Sequence, residues 1–180
     1  MNWERCINSF RVELDCDIYI TGSNAKLLSG ELATYLAGRY IEFIIYPFSF
    51  GEFRELYTSV FPAANPAQAF REYLTAGGMP YLANLRYARE PCRQYLEALY
   101  DSVVLKDIVK RNNVRDVDLL ERIIAYITAN VGTPFSATSI TKFFKSEGRT
   151  VASETVLNYI RYCLDAYLFY RVKRQDLQGK

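Results

Sequence analysis

Thr21, Ser23 and Asn24 put two hydroxyls and an amide directly behind the apolar run Ile18-Tyr19-Ile20, with Gly22 among them. In α/β proteins, a strand that opens onto such a polar loop is where ligand contacts gather. Gly, Ser and Asn are equally the residues of an ordinary turn, and these positions alone leave both readings open. The chemistry within reach is narrowed by the lack of any histidine. His-based triads, imidazole acid–base catalysis and His-ligated zinc are therefore outside this chain's own means. Four cysteines, Cys6, Cys16, Cys92 and Cys163, stand far apart with no CxxC spacing. Buried free thiols are expected, rather than a metal cluster or a disulfide framework. Asp101, Asp107 and Asp116 would be the carboxylates of an independent enzyme, but their spacing is also that of solvated helix faces.

A second group of residues suits a polyanion. Residues 1–135 hold 14 basic and 16 acidic side chains, whereas residues 136–180 hold 8 basic and 4 acidic. Near the C-terminus a helical pattern places Glu154, Thr155, Asn158, Arg161 and Tyr162 opposite an apolar face. Asn can pair with adenine, and Arg with guanine or phosphate. Lys142, Lys145, Arg149, Arg171, Lys173 and Arg174 would supply backbone contacts. Glu154 at the leading end of the helix repels phosphate, and solvated cations on an ordinary surface would show the same charge balance.

These residues need elements to hold them. With half of the residues apolar and 23% charged, the chain suits a folded protein. It has no apolar run of about 20 residues and no hydrophobic signal core, so a cytoplasmic location without a membrane partner is expected. Asp17 to Thr21 and Tyr40 to Tyr46 read as strands, with a helix over Ala25 to Ala37 between them that Gly38 would stop. Ser49 or Gly51 starts the next helix, and "PAANPAQ" (62–68) is the clearest break. "AGGMPY" (76–81) interrupts a helical middle, and Pro91 suits the first turn of a long helix to about Lys110. Leu119, Leu120, Ile123, Ile124, Ile127 and Val131 define one amphipathic helix, and Ser136 caps a second. A third starts near Ser153, its apolar face carrying Val156, Tyr159, Ile160, Cys163, Leu164 and Tyr167. "YLFYRVKRQ" then reads as a basic strand. Three short helices followed by such a strand is the order of a winged helix-turn-helix.

The stretch "DIYITGSNAKLLSGELATYLAGRYIEFIIYPFSFGEF" closely resembles the middle of a large prokaryotic family of predicted AAA-type P-loop ATPases. "GGMPY", "VVLKDIVKR" and "FSATSITKFFKSEGRTVASETVLNYI" are similar to further motifs of that family, in the same order. The resemblance covers nearly the whole chain. It implies an α/β nucleotide-binding domain followed by a winged helix and then a nuclease-like domain, with ATP and Mg2+ as cofactors. It also implies that Ser23 and Asn24, with Thr21 as the runner-up, occupy a polar sensor position able to hold an attacking water or a γ-phosphate oxygen. Arg39 corresponds to a family arginine that would face phosphate or a neighbouring subunit, although pairing with Glu42 or Glu31 on an ordinary surface accounts for it equally.

The departures from the family are as informative. No GxxxxGK[ST] phosphate cradle occurs, the sole Gly-Lys pair being Gly179-Lys180, and the metal-binding Asp-Glu expected before Trp3-Glu4 is missing. The expected architecture is thus an α/β remnant of a P-loop NTPase domain at 1–61, a helical region at 62–116 and a winged helix at 117–180, predominantly helical overall. Such a chain would be an internal piece of a longer ATPase, or the product of a broken or late-starting gene, and not competent in ATP hydrolysis alone. Its expected partners are the missing P-loop segment or a second copy of itself, and DNA through Asn158, Arg161, Lys173 and Arg174; the alternative is a winged-helix module that binds DNA or protein.

Overall fold

The computed structural model describes residues 3–22 and 38–172. In chain order, the helices are α1 (Trp3–Glu13), α2 (Phe50–Val60), α3 (Pro66–Ala76), a 3-10 turn (Pro80–Ala83), α4 (Arg89–Ser102), a π-helical stretch (Val103–Lys110), α5 (Val117–Ala129), α6 (Ala137–Ser146) and α7 (Ser153–Asp165). They group into two compact units, one of Met1–Arg39 with Ser102–Lys180, the other of Tyr40–Asp101. Among the described residues no helix is long and apolar enough to cross a membrane.

The α/β expectation is overturned. No strand occurs among the described residues. Asp17 to Thr21 and Tyr40 to Tyr46 have no regular secondary structure and no ladder partner, and Ile41, Phe43 and Ile45 lie open to solvent. A strand exists only through its neighbours' hydrogen bonds, and neither run finds such a neighbour among the described residues. The strand expected in "YLFYRVKRQ" is likewise not seen in its described part. Tyr167 takes a left-handed φ of 55°, and Leu168 and Phe169 turn back onto the helical core. The helix expected over Ala25 to Ala37 lies outside the described residues.

In the unit Tyr40–Asp101, local capping sets the helix starts. The Ser49 hydroxyl accepts from the Glu52 amide while the Glu52 carboxylate accepts from the Ser49 amide, and Asn65 with Gln68 repeats the device before Pro66. Phe53, Leu82, Tyr87 and Cys92 form the core. The Phe53 ring lies 5.3 Å from Tyr87 and 5.2 Å from Tyr73. The chain before α2 is pinned to the turn after α3, for the Phe48 amide donates to the Gly78 carbonyl at 2.8 Å and the Tyr73 hydroxyl donates to the Phe48 carbonyl at 3.1 Å.

In the other unit, α5, α6 and α7 share one core. Leu119, Leu120, Ile123, Ile124 and Ile127 from α5 meet Ile140 and Phe144 from α6 and Val156, Tyr159 and Cys163 from α7. The π-helical stretch adds Val104 and Ile108. Val131, expected in this core, is 72% exposed because α5 ends at Ala129 and Val131 falls in the turn beyond it. Cys92 and Cys163 are buried, Cys6 and Cys16 exposed, and all four are free. Burial pushes the Cys163 thiol up to about 12, so it stays protonated and packs as a small apolar group.

Candidate nucleic-acid interface

The turn between α6 and α7 is fixed by one arginine. Arg149 donates through Nη2 to Asp116 Oδ2 at 2.6 Å and through Nη1 to Asp118 Oδ2, which fastens the turn to the start of α5. Asp116 is itself the cap of α5, accepting from the Leu119 amide at 3.0 Å. That amide, then Arg149, holds the Asp116 carboxyl below its ordinary value. Arg149 and then Arg122 do the same for Asp118. Arg149, expected among the phosphate contacts, is thereby spent on structure.

Both carboxyls titrate lower in the folded chain than in the unfolded one. Their contribution is therefore complete above the unfolded carboxylate pKa, about 3.9, and is lost as the pH falls through the lowered folded values. Urea unfolding at pH 7 and pH 3 is expected to show acid destabilisation in the parent chain and a smaller acid loss in Arg149→Met. Equal acid losses in the two proteins would remove the Arg149 clamp from the account.

With the turn held, α7 presents a mixed outer face. Val156, Tyr159 and Cys163 point into the core, which leaves Glu154, Leu157, Asn158 and Arg161 toward solvent or partly so. Asn158 and Arg161 are brought together, Arg161 Nη2 donating to Asn158 Oδ1 at 3.0 Å. The guanidinium also stands 5.6 Å from the centre of the Tyr162 ring. Tyr162, expected on the outer face, packs in part against the core. On α6, Lys142 and Lys145 are exposed. Among the described residues Lys142, Lys145 and Arg161 have no carboxylate partner, whereas Arg93, Arg111, Arg122 and Arg149 are all paired. Lys173 and Arg174 lie outside the described residues.

The nucleotide-linked candidates are less gathered. Thr21 and Arg39 are exposed, and neither takes part in a hydrogen bond or ion pair among the described residues. Ser23 and Asn24 lie outside the described residues. No group of three or more His, Cys, Asp or Glu side chains among the described residues could hold a metal ion. The sequence also lacks the glycine-rich cradle and lysine that phosphates need. Of the three carboxylates considered for catalysis, Asp116 is the helix cap and Asp107 pairs with Arg111 at 3.1 Å.

Sequence reasoning missed the role of Arg149. Asp116 directly before an apolar helix was a legible cap signal. Its partner stands 33 positions away, and no local pattern announces such a pairing.

Comparison with known proteins places matches along the whole chain. Residues 67–177 match the model of a family described as a domain of unknown function, DUF8612. Residues 1–54 match a model described as an AAA domain, which relates this segment to AAA-type ATPases. An uncharacterized protein of Haemophilus influenzae is 38% identical over 99% of this chain and 44% of its own length. An uncharacterized protein of Methanocaldococcus jannaschii is 28% identical over 99% of this chain and 42% of its own length. The chain thus spans less than half the length of these curated relatives. No solved structure matches it.

Proposed function

This chain belongs to the DUF8612 family, and from that premise we propose that it joins an AAA-type ATPase segment to a helix-turn-helix unit that binds double-stranded DNA. The observation that carries the DNA half is the set of cations on α6 and α7. Arg161, Lys142 and Lys145 have no carboxylate partner among the described residues, while Arg149, which fixes the turn between these helices, is fully engaged. A helix entering the major groove reads bases with a few side chains while its neighbours hold phosphates. Asn158 and Arg161 have the chemistry for adenine and guanine, and Lys142 and Lys145 for phosphate. The Arg161–Asn158 hydrogen bond holds both side chains on the outer face until bases replace it. The basic residues Lys173 and Arg174 would add further phosphate contacts.

In the AAA half, Ser23 and Asn24 would act as sensor groups, with Thr21 behind them and Arg39 directed at phosphate. ATP and Mg2+ would be held by a P-loop that this sequence does not contain, carried by another segment or chain. Leu157, 56% exposed between Glu154 and Asn158, favours a second occupant for α7, the apolar surface of a protein.

A DNA titration at two salt concentrations separates these readings. Neutralising phosphates releases counterions, so affinity for a 20-base-pair duplex is expected to fall steeply between about 50 and 200 mM salt. Arg161→Ala should relax the base preference at a cost of about 1–3 kcal/mol, whereas Lys142→Ala and Lys145→Ala should each reduce the slope of log affinity against log salt by about 1. Binding that ignores salt, or slopes unmoved by the lysine variants, would remove α6 and α7 from DNA recognition and leave the protein-binding reading.

A further inference from the structure

A cleft beside α2 and α3 carries chemistry that the proposed function does not use. Tyr57, Phe61, Gln68, Arg71, Glu72 and Thr75 line a groove of about 510 Å3 within the unit Tyr40–Asp101. One side is aromatic. The rings of Tyr57 and Phe61 are centred 5.0 Å apart, with Tyr87 behind them at 5.0 Å from Tyr57. Against these rings stands Glu72, half-buried, and its carboxylate has no hydrogen-bond or ion-pair partner among the described residues. Burial, and then the Glu72 charge, raise the Tyr57 phenol above its ordinary value. The groove thus sets one negative charge without a cation partner beside aromatic faces, an arrangement that a flat cation complements.

We infer that this groove takes the guanidinium of an arginine side chain presented by a protein partner, held between the Glu72 carboxylate and the rings of Tyr57 and Phe61. A guanidinium is favoured over an ammonium because it stacks flat on an aromatic ring while its fork donates two parallel hydrogen bonds to one carboxylate. A peptide is favoured over a free amine because of Gln68. Its side-chain oxygen is taken by the Asn65 amide at 2.9 Å, which leaves its NH2 group to donate to a backbone carbonyl. Arg71, exposed at the edge of the groove, opposes an incoming cation and limits the affinity.

The test is an NMR titration of the full chain with acetyl-Gly-Arg-Gly-amide, its citrulline and lysine counterparts, and spermidine. The arginine peptide should move amide signals within residues 57–75. Replacing arginine by neutral citrulline, or Glu72 by Gln, should weaken binding by about tenfold, since either change removes one charge of the pair. Arg71→Ala should strengthen it. Signals away from the groove should stay in place in Glu72→Gln, which separates lost binding from lost folding. Arg161→Ala, on the other unit, should leave the titration unchanged. Citrulline binding as tightly as arginine, an unaffected Glu72→Gln, or no response to any probe at millimolar concentration would overturn the inference. Lysine binding equally well would overturn the guanidinium, and tighter binding of spermidine would overturn the protein source.

Discussion

Phe144→Ala is expected to destabilise the three-helix unit by about 3–5 kcal/mol, the usual loss for a phenylalanine removed from a closed core. Phe144 is fully buried where α6 meets α5 and α7, among Ile140, Leu120 and Val156. The cavity left behind is bounded by side chains on three helices, each anchored by its own buried neighbours, so collapse into it is limited. A typical domain has only about 5–15 kcal/mol in total, and the variant should therefore lose a large share of its helical signal well below the parent's urea midpoint. Its sequence neighbour provides the contrast. Phe143 is 39% exposed and packs at a tilt against Tyr126, the ring centres 5.0 Å apart, so Phe143→Ala should lower the midpoint far less. Equal midpoints for the two variants would mean that the core is not closed around Phe144.

Gly78→Ala should be the most damaging small substitution in the other unit, with a loss of about 2–4 kcal/mol from overpacking and a displaced hydrogen bond. A Cβ at Gly78 would fall 2.2 Å from the Phe48 carbonyl oxygen and 2.9 Å from the Phe48 nitrogen. Those are backbone atoms, so no rotamer change makes room. The two segments would have to part, which stretches the Phe48 amide to Gly78 carbonyl bond and the Tyr73 hydroxyl bond to Phe48. Gly51→Ala has the opposite expected sign. A Cβ there meets only Ser49 Oγ at 3.8 Å, and alanine inside α2 should add about 0.5–1 kcal/mol by its helix propensity. Thermal unfolding of the pair decides the matter, and a Gly78→Ala protein as stable as Gly51→Ala would refute the close approach.

Local signals in the sequence proved dependable. Ser49 or Gly51 at the start of α2, Ser136 before α6 and the apolar spacing of α5 each predict an element from interactions within a few residues, and each element is present, with Ser49 as the cap of α2. The strands failed because their existence depends on partners elsewhere. The Ile-, Phe- and Tyr-rich run 40–46 has strand composition, yet nothing in its own seven residues supplies a ladder. Val131 failed by two positions, since an apolar period continues in print past the point where Asn130 and Gly132 end the helix. The outer face of α7 was legible in part, Asn158 and Arg161 following from the helical period alone while Tyr162 packs in part against the core. The Arg149 clamp and the Glu72 groove were not. Their members stand far apart in the chain or gain meaning only from burial, and neither separation nor burial is written in residue type.

The distribution of the thiols has a practical consequence. One buried cysteine sits in each core, Cys92 beside Phe53 and Leu82, and Cys163 beside Phe144 and Val156, while Cys6 and Cys16 are open. An alkylating reagent applied to the native chain adds two mass increments promptly, and the third and fourth only when a core opens. Peptide mapping then tells which core opened first. The chain thus carries its own pair of timers, one per unit, with no label to engineer.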